Sequence, residues 1–336
     1  MTFNKKVGVL AAMSSLVVVS AVSADDGLKV GGFVDPQLIY RDVGTTETEM
    51  SFQSVLNDGA VYFSKSLGEG SVSLDLAFGD IQFSEYNTAP AGVGLFGTSG
   101  TAKSQAFVAY KYSNGISWKF GQFDGIFGHE RNDTVDVFFA SQGQVFTLQP
   151  RVHQALLVGY DVSSALAVHA YVGGSDGSGW ARRPTVGQGN AQIGAKVAYN
   201  DAFRVSLGGW MESERFAADA AAMFINVMAG MDFGDLSLDV EYDMLNTGVD
   251  GADAQTAIGA YVGYSLGETT KLGARFTTNT NDSDADAEAG TTQISVGPSF
   301  AMTKDLNVKV NLNYNMFEAD GVDAQVSGAL AATYRF

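Results

Sequence analysis

The chain contains no cysteine, so a disulfide framework and a thiolate metal site are both excluded. Beyond residue 24 no apolar run approaches the eighteen or so residues that carry a helix across a bilayer, which rules out a helical membrane protein. Proline occurs only five times. Basic residues are also few, 20 Lys and Arg against 37 Asp and Glu, for a formal charge of −17 that makes nucleic acid an unsuitable partner. Hydrophobic residues nevertheless make up 46% of the chain and glycine supplies 40 residues. So much apolar side chain without long apolar runs must be spread through the sequence, and the spacing of that spread carries the fold.

From residue 306 to 316 the even positions are Leu306, Val308, Val310, Leu312, Tyr314 and Met316, and the odd ones are Asn307, Lys309, Asn311, Asn313 and Asn315. Period two puts one kind of side chain on each face of a strand. The pattern returns from 324 to 336, ending on Tyr334, Arg335 and Phe336. Strands of soluble sandwiches usually run about five or six residues. These run eleven or more, the length that crosses a bilayer at a tilt. The expectation is a transmembrane antiparallel β-barrel, all-β in class.

Residues 1–24 have Lys5 and Lys6, an apolar run from Val7 to Val22 and small residues up to Ala24. They read as a cleaved signal peptide, the rival being a retained anchor for which the apolar core is short. Residues 25–336 then form one barrel domain. Taking the C-terminal pair as a template, sixteen alternating segments follow: 28–40, 59–67, 71–79, 104–112, 116–123, 151–162, 166–173, 191–199, 203–211, 225–233, 236–244, 256–266, 271–276, 293–302, 306–316 and 324–336. Fourteen or eighteen strands are the alternatives. Pro36 implies a bulge in the first strand, and Asn114-Gly115 is a strong hairpin signal. Tyr112, Tyr160, Tyr199, Phe233 and Phe336 stand on the apolar face beside tight turns, as aromatics do at the headgroup level, which places those turns in the periplasm.

The opposite face collects Lys111, Lys119, Arg151, Arg204, Asp239, Glu241, Asp243, Arg275 and Lys309, along with Lys29, Asp35, His153, His169, Lys196, Lys271 and Arg335. So many ionisable groups imply a wet lumen, and sixteen strands enclose enough width for one. Asp239, Glu241 and Asp243 opposite a largely basic wall suggest a transverse field, unless the charges merely solubilise the wall. The segment between the fifth and sixth strands, residues 124–150, holds Glu130, Arg131, Asp133 and Asp136 amid Val135, Val137, Phe138, Phe139, Val145 and Phe146. Folded inward, its apolar side chains would anchor it and its charged residues would form a pore constriction; otherwise it caps the outer mouth. Other signals are weak. Gly92, Gly94 and Gly97 lack the strand and helix of a dinucleotide site, and Asp282, Asp284 and Asp286 lack the glycine and closing glutamate of a calcium loop. His153 and His169 have no serine pattern to make them a hydrolase site. No cofactor, metal or enzymatic activity is expected.

The leader, the order of sixteen segments, the long connection after the fifth, the stretch Lys119-Phe120-Gly121-Gln122-Phe123-Asp124-Gly125-Ile126-Phe127-Gly128 and the terminal Tyr334-Arg335-Phe336 together resemble Gram-negative outer-membrane porins, namely the general diffusion and "putative β-barrel porin" families. The resemblance spans essentially all of residues 25–336. It implies a homotrimer in outer-membrane lipid, an inward third loop carrying Glu130, Arg131, Asp133 and Asp136 at the constriction, and a terminal aromatic, with Tyr334 beside it, read by the barrel-assembly machinery. The function expected is passive diffusion of ions and small hydrophilic solutes. A solute-specific channel, with Phe33, Tyr62, Phe107, Tyr171, Trp210 and Tyr261 available for sugar stacking, and a non-conducting adhesin or anchor are the alternatives.

Overall fold

The computed structural model describes residues 28–42, 50–78, 105–175, 191–212, 221–246, 254–280, 290–317 and 323–336. The proposed leader at 1–24, the glycines at 92–97 and the acids at 282–288 lie outside them. Sixteen strands follow in chain order. They are β1 (Lys29–Asp42), β2 (Met50–Leu67), β3 (Gly70–Phe78), β4 (Gln105–Lys111), β5 (Ile116–Asp124), β6 (Val152–Asp161), β7 (Leu166–Ser175) and β8 (Gln192–Asn200). The second half comprises β9 (Phe203–Glu212), β10 (Ala222–Phe233), β11 (Leu236–Asn246), β12 (Gln255–Ser265), β13 (Thr270–Thr280), β14 (Thr291–Ala301), β15 (Leu306–Phe317) and β16 (Gln325–Arg335). Every strand pairs antiparallel with its chain neighbours and β1 pairs with β16, so the sheet closes on itself. Closure leaves no edge, which is what allows a sheet to sit in hydrocarbon.

The alternation is visible on the surface. On β15 the exposed outward positions include Leu312 and Tyr314, while Lys309, Asn311, Asn313 and Asn315 are buried inside. Tyr112, Tyr160, Phe233 and Phe336 are exposed beside the tight turns. Gly68, Gly115, Gly234 and Gly267 occupy those turns with positive φ, between 63° and 87°. At Asn114-Gly115 the Asn114 side chain accepts a hydrogen bond from the Ile116 amide at 3.1 Å, holding the hairpin geometry.

All sixteen expected segments form strands, with two differences of extent greater than three residues. β2 starts at Met50 rather than at 59, because the β1–β2 register shifts between Asp35 and Pro36: Asp35 faces Asp58 while Pro36 faces Leu56. The extra residue, Asn57, breaks the period-two phase, so residues 50–56 do not continue the parity of 59–67. β13 runs on to Thr280, past the expected 276, through Thr277, Thr278, Asn279 and Thr280, where all side chains are polar and no alternation can show.

The connection between β5 and β6 is fully described. It contains two short 3-10 turns, Thr134–Asp136 and Gln144–Leu148. Its Ile126, Phe127, Val145 and Leu148 form one apolar cluster with Phe123, Ala155, Leu157, Tyr171, Trp210, Phe224, Leu245 and Ala257, inward positions on β5, β6, β7, β9, β10, β11 and β12. The packed core of this molecule is therefore made between the barrel's inner face and this connection.

Candidate functional site in the barrel lumen

The connection is fastened at both sides of the lumen by charge and amide pairing. On one side Arg275 of β13, a fully buried side chain, donates from Nη1 to Glu130 Oε1 at 2.5 Å and to the Ser141 carbonyl at 2.8 Å, and from Nη2 to Gln293 and Ser295 on β14. Glu130 Oε2 accepts the Gly143 amide at 2.5 Å, so both its oxygens are engaged. The Phe139 ring lies 4.7 Å from the Arg275 guanidinium. Gly273, on the same strand, leaves room for Phe138: a Cβ there would come within 2.2 Å of its ring.

The opposite fastening is to β1, β2 and β15. Thr134 donates from its amide to Asp58 at 2.9 Å and from its hydroxyl to Asp35 at 2.6 Å. Lys309 Nζ donates to the Thr134 and Val137 carbonyls at 2.5 and 2.7 Å, and Gln37 Nε2 to the Ala140 carbonyl at 2.7 Å. Asp133 accepts from the Tyr62 hydroxyl at 2.9 Å, while Asp136 pairs with Arg335 of β16. A third fastening uses β8, β10 and β11. Lys196 Nζ donates to the Ile126 carbonyl at 2.7 Å. Glu241 and Asp243 share two amide donors: Gln149 Nε2 at 2.8 and 2.9 Å, and Asn226 Nδ2 at 2.8 and 2.6 Å.

The expected constriction residues are thus brought to one segment, but as its fastenings. Glu130 and Asp133 are buried with partners, Asp136 is half-exposed in its ion pair, and Arg131, between Glu130 and Asn132, lies where burial lowers its proton affinity. The expected wall residues divide. Glu241, Asp243, Arg275 and Lys309 are buried beneath the segment rather than bathed in water, and Lys119 is buried as well. Alternation names the face a residue is on and cannot say what covers it. Lys119 lies 4.4 Å above the Phe107 ring and 5.2 Å from that of Phe123. Lys111 is exposed at the turn end, paired with Asp161 at 2.7 Å. Arg204 bridges Asp232 and Asp239, and the Arg151 carbonyl accepts from Asn132 and from the Gly125 amide at the foot of the connection.

The two strand histidines do not meet. His169 faces Gly159 across the β6–β7 ladder, six residues along β6 from His153. His153 is buried among the rings of Phe123, Phe127 and Tyr171. His129, in the connection, stacks on Tyr261 at 4.0 Å, and burial holds its imidazole below the ordinary value. Of the inward aromatics, Phe33, Tyr171, Trp210 and Tyr261 are buried under the connection. The partners Gln37, Asp58, Gln149, Asn226 and Thr277 are not singled out by the sequence. Polar residues at inward positions look alike in the sequence whether they meet water or a backbone, and their partners are up to 133 residues away.

Comparison with known proteins places this geometry. Curated proteins return no match. Among solved structures, Pseudomonas putida OprB superposes with a TM-score of 0.66 at 12% identity, covering 93% of this chain and 95% of that one. Salmonella typhi OmpF, in a complex with daunomycin, gives 0.65 at 15%, covering 94% and 99%. An anion-selective porin from Comamonas acidovorans gives 0.61 at 11%, covering 92% and 99%. At such identities these likenesses show the fold. The model of the family described as "Putative beta-barrel porin-2, OmpL-like" matches residues 27–336, and the chain belongs to that porin family of outer-membrane β-barrels.

Proposed function

We propose that the protein is a water-filled outer-membrane channel for passive diffusion of ions and small hydrophilic solutes, with residues 125–150 lying in the lumen and setting its narrowest passage. The observation that carries the reading is the set of hydrogen bonds and ion pairs joining that one segment to β1 and β2, to β8 and β11, and to β13, β15 and β16. A cap over the outer mouth would not reach inward side chains on so many strands. Glu130, Arg131, Asp133 and Asp136 then shape the constriction by holding it in place, while the wall residues outside its footprint, among them Lys111 and Arg204, face the passage. No reaction is assigned to the lumen.

Export through removal of residues 1–24, recognition of Tyr334 and Phe336 by the assembly machinery, and a homotrimer in outer-membrane lipid complete the proposal. The last is supported by a Vibrio cholerae OmpT structure described as a trimer form, a fold neighbour at 14% identity. Single-channel recording of the refolded protein tests the function. Steady conductance unaffected by candidate sugars is the expected record; block by a sugar would point to a solute-specific pore, and no conductance would leave an anchor or adhesin.

A further inference from the structure

The lumen charges are sorted along the barrel axis. β1 carries Lys29 near its turn end and Asp35 farther along, β5 carries Lys119 and then Asp124, and β9 carries Arg204 and then Glu212. At the same turn-end level stand Lys111, Lys271 and Arg335, with Lys196 and Lys309 slightly deeper. Only Asp161, Asp232 and Asp239 oppose these eight cations among the described inward positions of that level. Nearer the loop end, and on residues 125–150, Asp58, Glu130, Asp133, Glu241 and Asp243 join Asp35, Asp124 and Glu212. Among the described residues Arg41, Arg131, Arg151 and Arg275 are the cations there. β6 runs the other way, with Arg151 at its loop end and Asp161 at its turn end.

In a chain of net charge −17 a random scatter would make both ends acidic. The inward wall at the turn end is instead basic, although the turns themselves carry Glu69, Asp201, Asp235, Glu268 and Asp305 with Lys304, and the sign of the wall changes at the segment across the lumen. Lys196 and Lys309 touch that segment's carbonyls from the turn side. From Arg204 to Glu212 is eight residues, about 26 Å along a strand and about 20 Å along the axis at the usual tilt of about 40°. The screening length at physiological salt is about 8 Å, so the charges at the two ends act as separate fields, and the zones meet only at the segment, where Lys309 bonds the same Thr134 that bonds Asp35 and Asp58.

We propose that the channel is an axial rectifier, with a cation-attracting half toward the loops and an anion-attracting half toward the turns. This rests on the channel reading above and on the turns being periplasmic. With the loop side positive, cations are driven in from the acidic end and anions from the basic end, and both accumulate at the constriction. With the opposite sign both are drawn out and the passage is depleted. Small cations therefore pass inward, and small anions outward, more readily than the reverse.

The test is the current–voltage curve of single channels of the refolded chain at about 0.1 M and about 1 M KCl, where the screening lengths are about 10 and about 3 Å. Sidedness is fixed by Glu268→Cys in a periplasmic turn, unique because the chain has no cysteine, blocked from one chamber with a bulky impermeant thiol reagent. At low salt the current with the loop side positive should exceed that at the opposite voltage, and the ratio should return to unity at high salt. Lys29→Gln with Lys271→Gln should bring the low-salt ratio toward one in a channel that still conducts, and Glu212→Gln should do so from the other end. A conducting channel with a symmetric low-salt curve, or a ratio indifferent to both salt and these substitutions, overturns the proposal. Absence of any current overturns the channel reading itself.

Discussion

Arg275 is a single side chain on which a whole segment leans. Its guanidinium serves Glu130, Ser141, Gln293 and Ser295 at once. Arg275→Ala leaves the Glu130 carboxylate buried without its cation, a change that typically costs about 3–5 kcal/mol. We expect a lower unfolding midpoint in denaturant and a noisier open-channel current. Arg275→Lys should fall between, since the charge remains but the planar fork is lost. An unchanged midpoint and quiet current in the alanine variant would mean that the segment is held elsewhere. His129 gives a pH dependence of definite sign. Its folded imidazole resists protonation because of burial, with Asp239 and Glu130 pulling weakly the other way. The unfolded chain takes up this proton below about pH 6.5, where the native state does not, so stability drops as pH falls below that value. His129→Phe keeps the stack on Tyr261 and removes the proton. The loss of stability between about pH 7.5 and about pH 5.5 should be smaller in the variant than in the parent chain; equal losses would place the titration in other groups.

At the scale of elements, strands and connections were legible to different degrees. Long strands with one face in lipid must alternate, so β4 through β12 and β14 through β16 could be read to within a few residues of their ends. Where the constraint is lifted the reading failed, at the Asn57 bulge that shifts the phase of β2 and along the all-polar end of β13. The segment between β5 and β6 announced itself by apolar residues that a solvent loop has no use for, and Val137, Phe139, Val145 and Phe146 are indeed buried. Its partners were illegible, because a hydrogen bond such as Gln37 to Ala140 leaves no local pattern in either stretch. Because β5 and β6 pair directly from Ile116↔Tyr160 to Asp124↔Val152, the hairpin does not depend on the segment. Replacing residues 127–148 by a short glycine–serine link should leave a barrel with strand-type circular dichroism and raise single-channel conductance severalfold. A folded barrel of unchanged conductance would show that the segment does not occupy the passage.

The molecule as a whole is a single ladder, and its stability is decided where the ends of the chain meet. At the seam the Phe336 amide donates to the Gly32 carbonyl and the Gly32 amide to the Phe336 carbonyl, each at 3.0 Å. The Phe336 ring lies over Gly32 from the outside: a Cβ at residue 32 would stand 2.7 Å from that ring and 2.3 Å from the Ala60 backbone oxygen on β2. The oxygen belongs to the ladder and cannot step aside as a side-chain tip could, so any side chain at 32 must part β1 from β2 or displace the terminal aromatic. Because closure removes every edge, unfolding has to break the ladder cooperatively. Unboiled and boiled samples should therefore migrate differently in detergent gels, and the temperature of that shift measures the seam. Gly32→Ala should lower it, whereas Gly263→Ala should not, since there the new Cβ meets only Ser237 Cβ at 3.8 Å, an ordinary contact. Equal shifts for the two variants would mean that the seam is not the weak line of the barrel, and identical migration before and after boiling would contradict closure itself.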